Sequence, residues 1–191
     1  MIRSEVGNKE QIKVLHVNIR SLRKNWDSLR QQLKEINIDW ELIILTEINI
    51  KKEEIELYDI SGYANTTITR ESTTRGGGIM VFTKKELNIE VKQIEFGENN
   101  VLKIIITGMN VKGKKEKDIQ IIAVYRKPST NKKEFVKTLK NWVENNGNKN
   151  FKSQMIVGDI NIDILENLNQ LEDNYDQNLI DYYEYIPDRM T

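Results

Sequence analysis

Apolar residues along the chain fall into short runs divided by polar stretches, and two longer stretches repeat at helical spacing. Ile12 to Val17 (IKVLHV) is β-branched and bounded by polar residues, which predicts a strand. Leu22, Trp26, Leu29, Leu33 and Ile36 then recur at intervals of four and three, one face of a helix starting near Ser21. Leu42 to Leu45 (LIIL) is a continuous apolar run of the length of a buried strand. Ile79 to Phe82, Val101 to Thr107, Ile119 to Tyr125 and Met155 to Val157 predict further strands, and Gly76-Gly77-Gly78 predicts a break before the first of them. Pro128-Ser129-Thr130-Asn131 opens a second helix with Phe135, Leu139, Trp142 and Val143 on its apolar face, ending among Asn145, Asn146 and Gly147. Tyr175, Leu179, Tyr182, Tyr183 and Ile186 repeat at roughly helical spacing before Pro187. Many strands and few helices, with no helix after each strand, favour an α/β sandwich over a doubly wound sheet.

Length and composition narrow this picture. At 191 residues, with no internal repeat and no low-complexity linker, the chain predicts one domain. Its 38% hydrophobic content supports a real core. The absence of cysteine excludes a disulfide framework, a thiolate zinc site and a Cys nucleophile. A single histidine, His16, leaves little scope for a His-centred triad. No stretch approaches the roughly 20 apolar residues of a membrane helix, and the first residues lack the apolar run of a signal peptide, so a nuclear or cytoplasmic protein is expected. The formal charge is zero overall but uneven. Residues 159–191 hold nine acidic residues and one basic one, which leaves 28 basic and 20 acidic residues in 1–158, a net +8. Such a body can attract a polyanion, although lysine also serves simply to solvate a surface.

Polar residues stand where the apolar runs stop. Asn18 follows VLHV, Glu47 follows IILT, Tyr125 follows IIAV, and Asp159 and Asn161 follow MIVG. Strand ends open into the loops that carry active sites. Each residue alone reads more readily as an ordinary strand-to-loop cap; the set in this order points to a shared site.

Five stretches carry a resemblance: HVNIRSL (16–22), LTEINI (45–50), GYANTTITRESTTRGGGIMVF (62–82), IIAVYRKPS (121–129) and IVGDINIDIL (156–165). Across residues 12–165 the sequence resembles the endonuclease/exonuclease/phosphatase superfamily, and most closely the apurinic/apyrimidinic-endonuclease-like domain of non-LTR retrotransposons. The resemblance implies a four-layer α/β/β/α sandwich with two mixed sheets, incomplete at its C-terminus. It implies a Mg²⁺-dependent (or Mn²⁺-dependent) DNA endonuclease that nicks target DNA for retrotransposition. DNA is then the partner, with no membrane and no small-molecule cofactor, and the full-length element would fuse the domain to a reverse transcriptase. Glu47 becomes the metal ligand, assisted by the carbonyl oxygen of Asn18. Asp159 orients or deprotonates the attacking water, Asn161 holds the water or a phosphate oxygen, and Tyr125 faces the phosphate. Arg126 and Lys127 grip DNA phosphates, or else are solvated strand-end charges. The glycines answer a backbone requirement, and His16 packs or caps. Trp26, Trp40 and Trp142 read as core residues.

The sequence departs from the family after GDIN. A terminal Ser-Asp-His is absent, so the chain reads as the first three quarters of the domain, and loss of a general base lowers cleavage by about 10²–10⁴. Two alternatives follow: a non-catalytic nucleic-acid-binding remnant, and a superfamily phosphoesterase acting on a small phosphate ester.

Overall fold

In a computed structural model, the structure describes residues 12–69, 77–108, 110–111, 114–115, 118–146 and 151–162. Two four-stranded sheets face each other. The first runs in the order β1 (Val14–Asn18), β2 (Leu42–Thr46), β4 (Ile79–Lys84), β3 (Tyr63–Ile68). The second runs β10 (Ser153–Asp159), β9 (Ile119–Tyr125), β6 (Asn100–Ile106), β5 (Ile89–Ile94). A small hairpin, β7 (Asn110–Val111) with β8 (Lys114–Lys115), stands between β6 and β9 in sequence.

Each sheet has one parallel pair at its margin. β1 runs parallel to β2, joined by helix α1 (Leu22–Ile36), and β9 runs parallel to β10, joined by helix α2 (Lys132–Asn146). A parallel pair needs a crossover of a dozen or more residues, and the two helices supply it. All other neighbours in the two sheets are antiparallel.

Three apolar layers separate the four. Leu22, Trp26 and Leu29 of α1 pack on Ile43, Leu45, Met80 and Phe82. Trp26 stacks on Phe82 at 5.8 Å and meets Tyr58 edge-on at 5.5 Å, both favoured aromatic geometries. Between the sheets lie Leu42, Ile44, Val81, Leu102, Ile104, Ile121 and Ala123. On the far face, Ile122 and Val124 pack on Phe135, Val136, Leu139 and Val143 of α2. The fold is the expected α/β/β/α sandwich of two mixed sheets.

The helix ends differ from expectation in detail. Ser21 makes no side-chain cap; its carbonyl accepts from the N–H groups of Lys24 and Asn25 instead. Ile36 is 51% exposed, because α1 ends at once in a left-handed Asn37 whose N–H closes on Leu33. Asn131 does cap α2, accepting the Glu134 N–H at 3.1 Å. Trp40 and Trp142 are partly buried at the margins of the two outer layers. Strands β3 and β5 and a 3₁₀ turn (Lys52–Leu57) were not foreseen. The tail Tyr175–Ile186 lies outside the described residues.

Candidate functional site

Because β1 and β2 run parallel, as do β9 and β10, four strand ends point to one end of the sandwich. The starts of the antiparallel β4 and β6 lie there too, with Ile79 opposite Thr46 and Asn100 opposite Tyr125. Asn18 and Asp159 are the last residues of the marginal strands β1 and β10, Tyr125 ends β9, and Glu47 follows β2.

The sheets are tied across this end. Asn18 donates from Nδ2 to Asp159 Oδ2 at 2.7 Å, joining β1 to β10. Gly78 donates its N–H to Asn100 Oδ1 at 3.0 Å, joining the start of β4 to β6. The other Asp159 oxygen accepts the Asn161 N–H at 3.0 Å, and Asn161 Nδ2 donates to the Arg126 carbonyl at 2.7 Å. Asp159 is therefore fixed by a donor on each oxygen. Glu47, by contrast, is half-buried, and its carboxylate makes no hydrogen bond or ion pair among the described residues.

Tyr125 is buried, with 3% exposure. Burial, then the charge of Glu47, then that of Asp159, push its hydroxyl from the ordinary value of 10 up to about 12. Both carboxylates thus stand near one phenol, which stays protonated as a hydrogen-bond donor across the neutral range.

Backbone strain concentrates here. Arg20, Glu47, Asn49 and Asn161 have φ of 53°, 55°, 55° and 51°, the left-handed region that residues with side chains seldom occupy. Gly77 and Gly78 reach φ of 110° and 90°. A Cβ on Gly78 would stand 2.6 Å from Ile48 and 2.8 Å from the Ile68 carbonyl, so the position demands glycine. His16, two residues before Asn18 on the same strand, shares a 3.2 Å hydrogen bond with the buried Thr46 hydroxyl beneath the site.

Arg126 corrects the sequence reading. It is 1% exposed, and its guanidinium donates to the carbonyls of Ile160, Lys127, Thr130 and Asn161. Burial lowers its pKa, against the opposing effects of Asp159 and Tyr125. With its fork enclosed by backbone oxygens it clamps residues 160–161 and cannot grip a DNA phosphate. Lys127 is half-buried, its N–H held by Asn99 Oδ1 at 3.1 Å.

Three asparagines were missed. Asn100 bridges the sheets, and Asn99 accepts from both Lys127 and Thr130. Asn49 ties two loops together: its N–H donates to the Gly77 carbonyl at 3.0 Å, and its Nδ2 to the Arg20 carbonyl at 3.3 Å. The only signal for Asn49 was its place two residues after Glu47.

Among the described residues no three His, Cys, Asp or Glu side chains form a ready-made metal cluster. The donors present are nevertheless hard oxygens: one unengaged carboxylate beside an amide carbonyl and a second carboxylate. That set suits a small divalent cation that keeps most of its own water.

The fold recurs in solved structures. The chain matches the 3' phosphatase NExo from Neisseria bound to product DNA hairpin, with a TM-score of 0.63 and 14% identity, over 90% of this chain and 71% of that one. It matches the APE2 catalytic domain of Xenopus laevis at 0.61 and 16%, over 90% and 67%. D. rerio TDP2 complexed with single strand DNA product matches at 0.58 and 14%, over 83% and 64%. The chain thus spans 64–71% of the length of these three structures. No family model and no curated protein sequence matches it. Among the described residues no helix is long and apolar enough to cross a membrane.

Proposed function

We propose that this chain is a divalent-metal-dependent phosphodiesterase of the endonuclease/exonuclease/phosphatase superfamily that cleaves DNA. The observation that carries the reading is the Asn18–Asp159 hydrogen bond across the two sheets, with Tyr125 buried beside both Asp159 and Glu47. The DNA named in two of the matching structures agrees with a nucleic-acid substrate.

Glu47 and the Asn18 carbonyl oxygen would hold Mg²⁺ or Mn²⁺. When bound, the ion supplies Lewis-acid stabilisation of charge on the phosphoryl oxygens. Asp159, held by a donor on each oxygen, keeps lone pairs with which to orient a water for attack. Asn161 keeps one amide N–H beyond its bond to the Arg126 carbonyl, enough to steady that water or a phosphate oxygen. Tyr125 offers a protonated hydroxyl to the phosphate. These donors are fixed before substrate arrives, so they stabilise developing charge without reorganising.

The retrotransposon setting, in which a nick in target DNA primes reverse transcription by a fused polymerase, rests on the sequence likeness through VYRKPS and GGGI. It would place the protein in the nucleus or cytoplasm.

The test is nicking of supercoiled plasmid by the full chain with Mg²⁺. The wild type should nick, and Glu47→Gln and Asp159→Asn should each lower the rate by about 10²–10⁴. Nicking that survives both substitutions overturns the assignment. DNA binding without nicking by the wild type favours the non-catalytic reading, and hydrolysis of a small phosphate ester alone favours the third.

A further inference from the structure

Withdrawal of Arg126 into the interior leaves the candidate mouth without the arginine expected to meet a phosphate. A different arginine stands there. Arg20 lies two residues after Asn18, is exposed, and has a φ of 53°. Glycine or asparagine adopts that conformation readily; an arginine does so only where its surroundings impose it.

Its surroundings do impose it. The Arg20 N–H donates to Asn18 Oδ1 at 3.1 Å. Its carbonyl accepts from Asn49 Nδ2 at 3.3 Å. The preceding Ile19 donates its N–H to the Thr46 carbonyl at 3.0 Å, next to Glu47. The backbone of Arg20 is therefore fixed against both the Asn18 end of β1 and the loop that carries Glu47. Its guanidinium, however, makes no hydrogen bond or ion pair among the described residues.

Arg23, one turn further on, shows the contrast. It is also exposed, but it closes a two-pronged pair with Glu54 at 2.5 Å for each contact. That hydrogen bond is the largest of the effects holding the Glu54 carboxyl at about 2. One arginine is committed to a neighbouring carboxylate, while the other sits on a strained, three-point-anchored backbone with its fork unengaged. Strain maintained by the surrounding structure marks functional positions.

We propose that Arg20 is a substrate-binding residue whose guanidinium grips the non-bridging oxygens of a backbone phosphate on a DNA strand bound across the strand ends that carry Asn18 and Asp159. The planar fork matches a phosphate in two-pronged fashion, which an ammonium does not. The proposal rests on the nuclease reading. It assigns Arg20 to binding and strand placement, with no role in proton transfer.

The experiment measures binding of the full chain to a short duplex in EDTA, by fluorescence anisotropy across a salt series. Cleavage does not enter the readout. Arg20→Gln should flatten the plot of log affinity against log salt by about one unit. Arg20→Lys should keep the slope while weakening binding. Arg20→Gly releases the backbone strain, so it should fold at least as stably as the wild type and still show the flattened slope. Methylphosphonate substitution, scanned along the strand, should find one phosphate whose neutralisation weakens the wild type but not Arg20→Gln. An unchanged slope in both Arg20→Gln and Arg20→Gly, with wild-type binding and nicking intact, overturns this proposal alone. A wild type that binds no DNA overturns it together with the nuclease reading.

Discussion

Midway along the strands, Ile44, Val81, Leu102, Ile104 and Ile121 form a dry layer between the sheets. At one end of that layer, Asn18, Thr46, Tyr125 and Asp159 end the strands with polar side chains. The first region is held by non-directional burial, at about 25 cal/mol per Å² of apolar surface. The second is held by a few oriented hydrogen bonds, each contributing only about 1 kcal/mol net. The comparison teaches that the apolar layer stabilises the sandwich while the polar end gives up stability for geometry. Substitutions in the two regions should therefore separate folding from chemistry.

The largest stability effect belongs to the interior. Ile104→Ala should lower the free energy of unfolding by about 2–5 kcal/mol in urea titration, through lost burial and the cavity left behind. It should leave the rate per folded molecule unchanged. A loss below about 1 kcal/mol would break the comparison, since the layer would not be carrying the fold.

A middle-sized effect belongs to the bridge at the polar end. Asn100→Ala leaves the Gly78 N–H without its acceptor and should cost about 1–3 kcal/mol. Because Gly77 lies against the Tyr125 ring, the same change should also lower activity. A stability loss with full activity would show that the bridge serves folding alone.

The smallest effect concerns Tyr125. Its folded pKa is raised, to about 12 from the ordinary 10. The stabilisation from keeping the phenol neutral is therefore fully present below about pH 10 and is lost as pH rises through about 12. Tyr125→Phe should shift stability at neutral pH by less than about 1 kcal/mol and flatten that alkaline limb. An unchanged limb would mean that burial and the two carboxylate charges do not hold the hydroxyl neutral.

Legibility in the sequence followed burial. LIIL and IIAVY are continuous apolar runs because β2 and β9 each have neighbours on both sides and a packed layer on both faces. Strands β3 and β5 escaped notice because polar residues interrupt their apolar positions. YANTTI carries threonine and asparagine, and Glu90 and Lys92 of β5 pair with each other in solvent. At the site, Asn18, Glu47, Tyr125, Asp159 and Asn161 could be picked out because a polar residue at the end of an apolar run is conspicuous. Arg126 was misread for the same reason. Placed beside Lys127 and Pro128 it looks exposed, and only the fold brings the carbonyls of Lys127, Thr130, Ile160 and Asn161 around it. Asn49, Asn99 and Asn100 act through contacts with residues distant in sequence, so no local pattern announced them.

The bond between Asn18 and Asp159 joins positions 141 residues apart. Local helices and hairpins form early in folding, whereas so distant a closure comes late. During synthesis the Glu47 loop leaves the ribosome long before β10 exists to meet it. A nascent chain therefore carries only half of the candidate catalytic pair until β10 emerges. The two halves of the candidate site can meet only once β10 has been made.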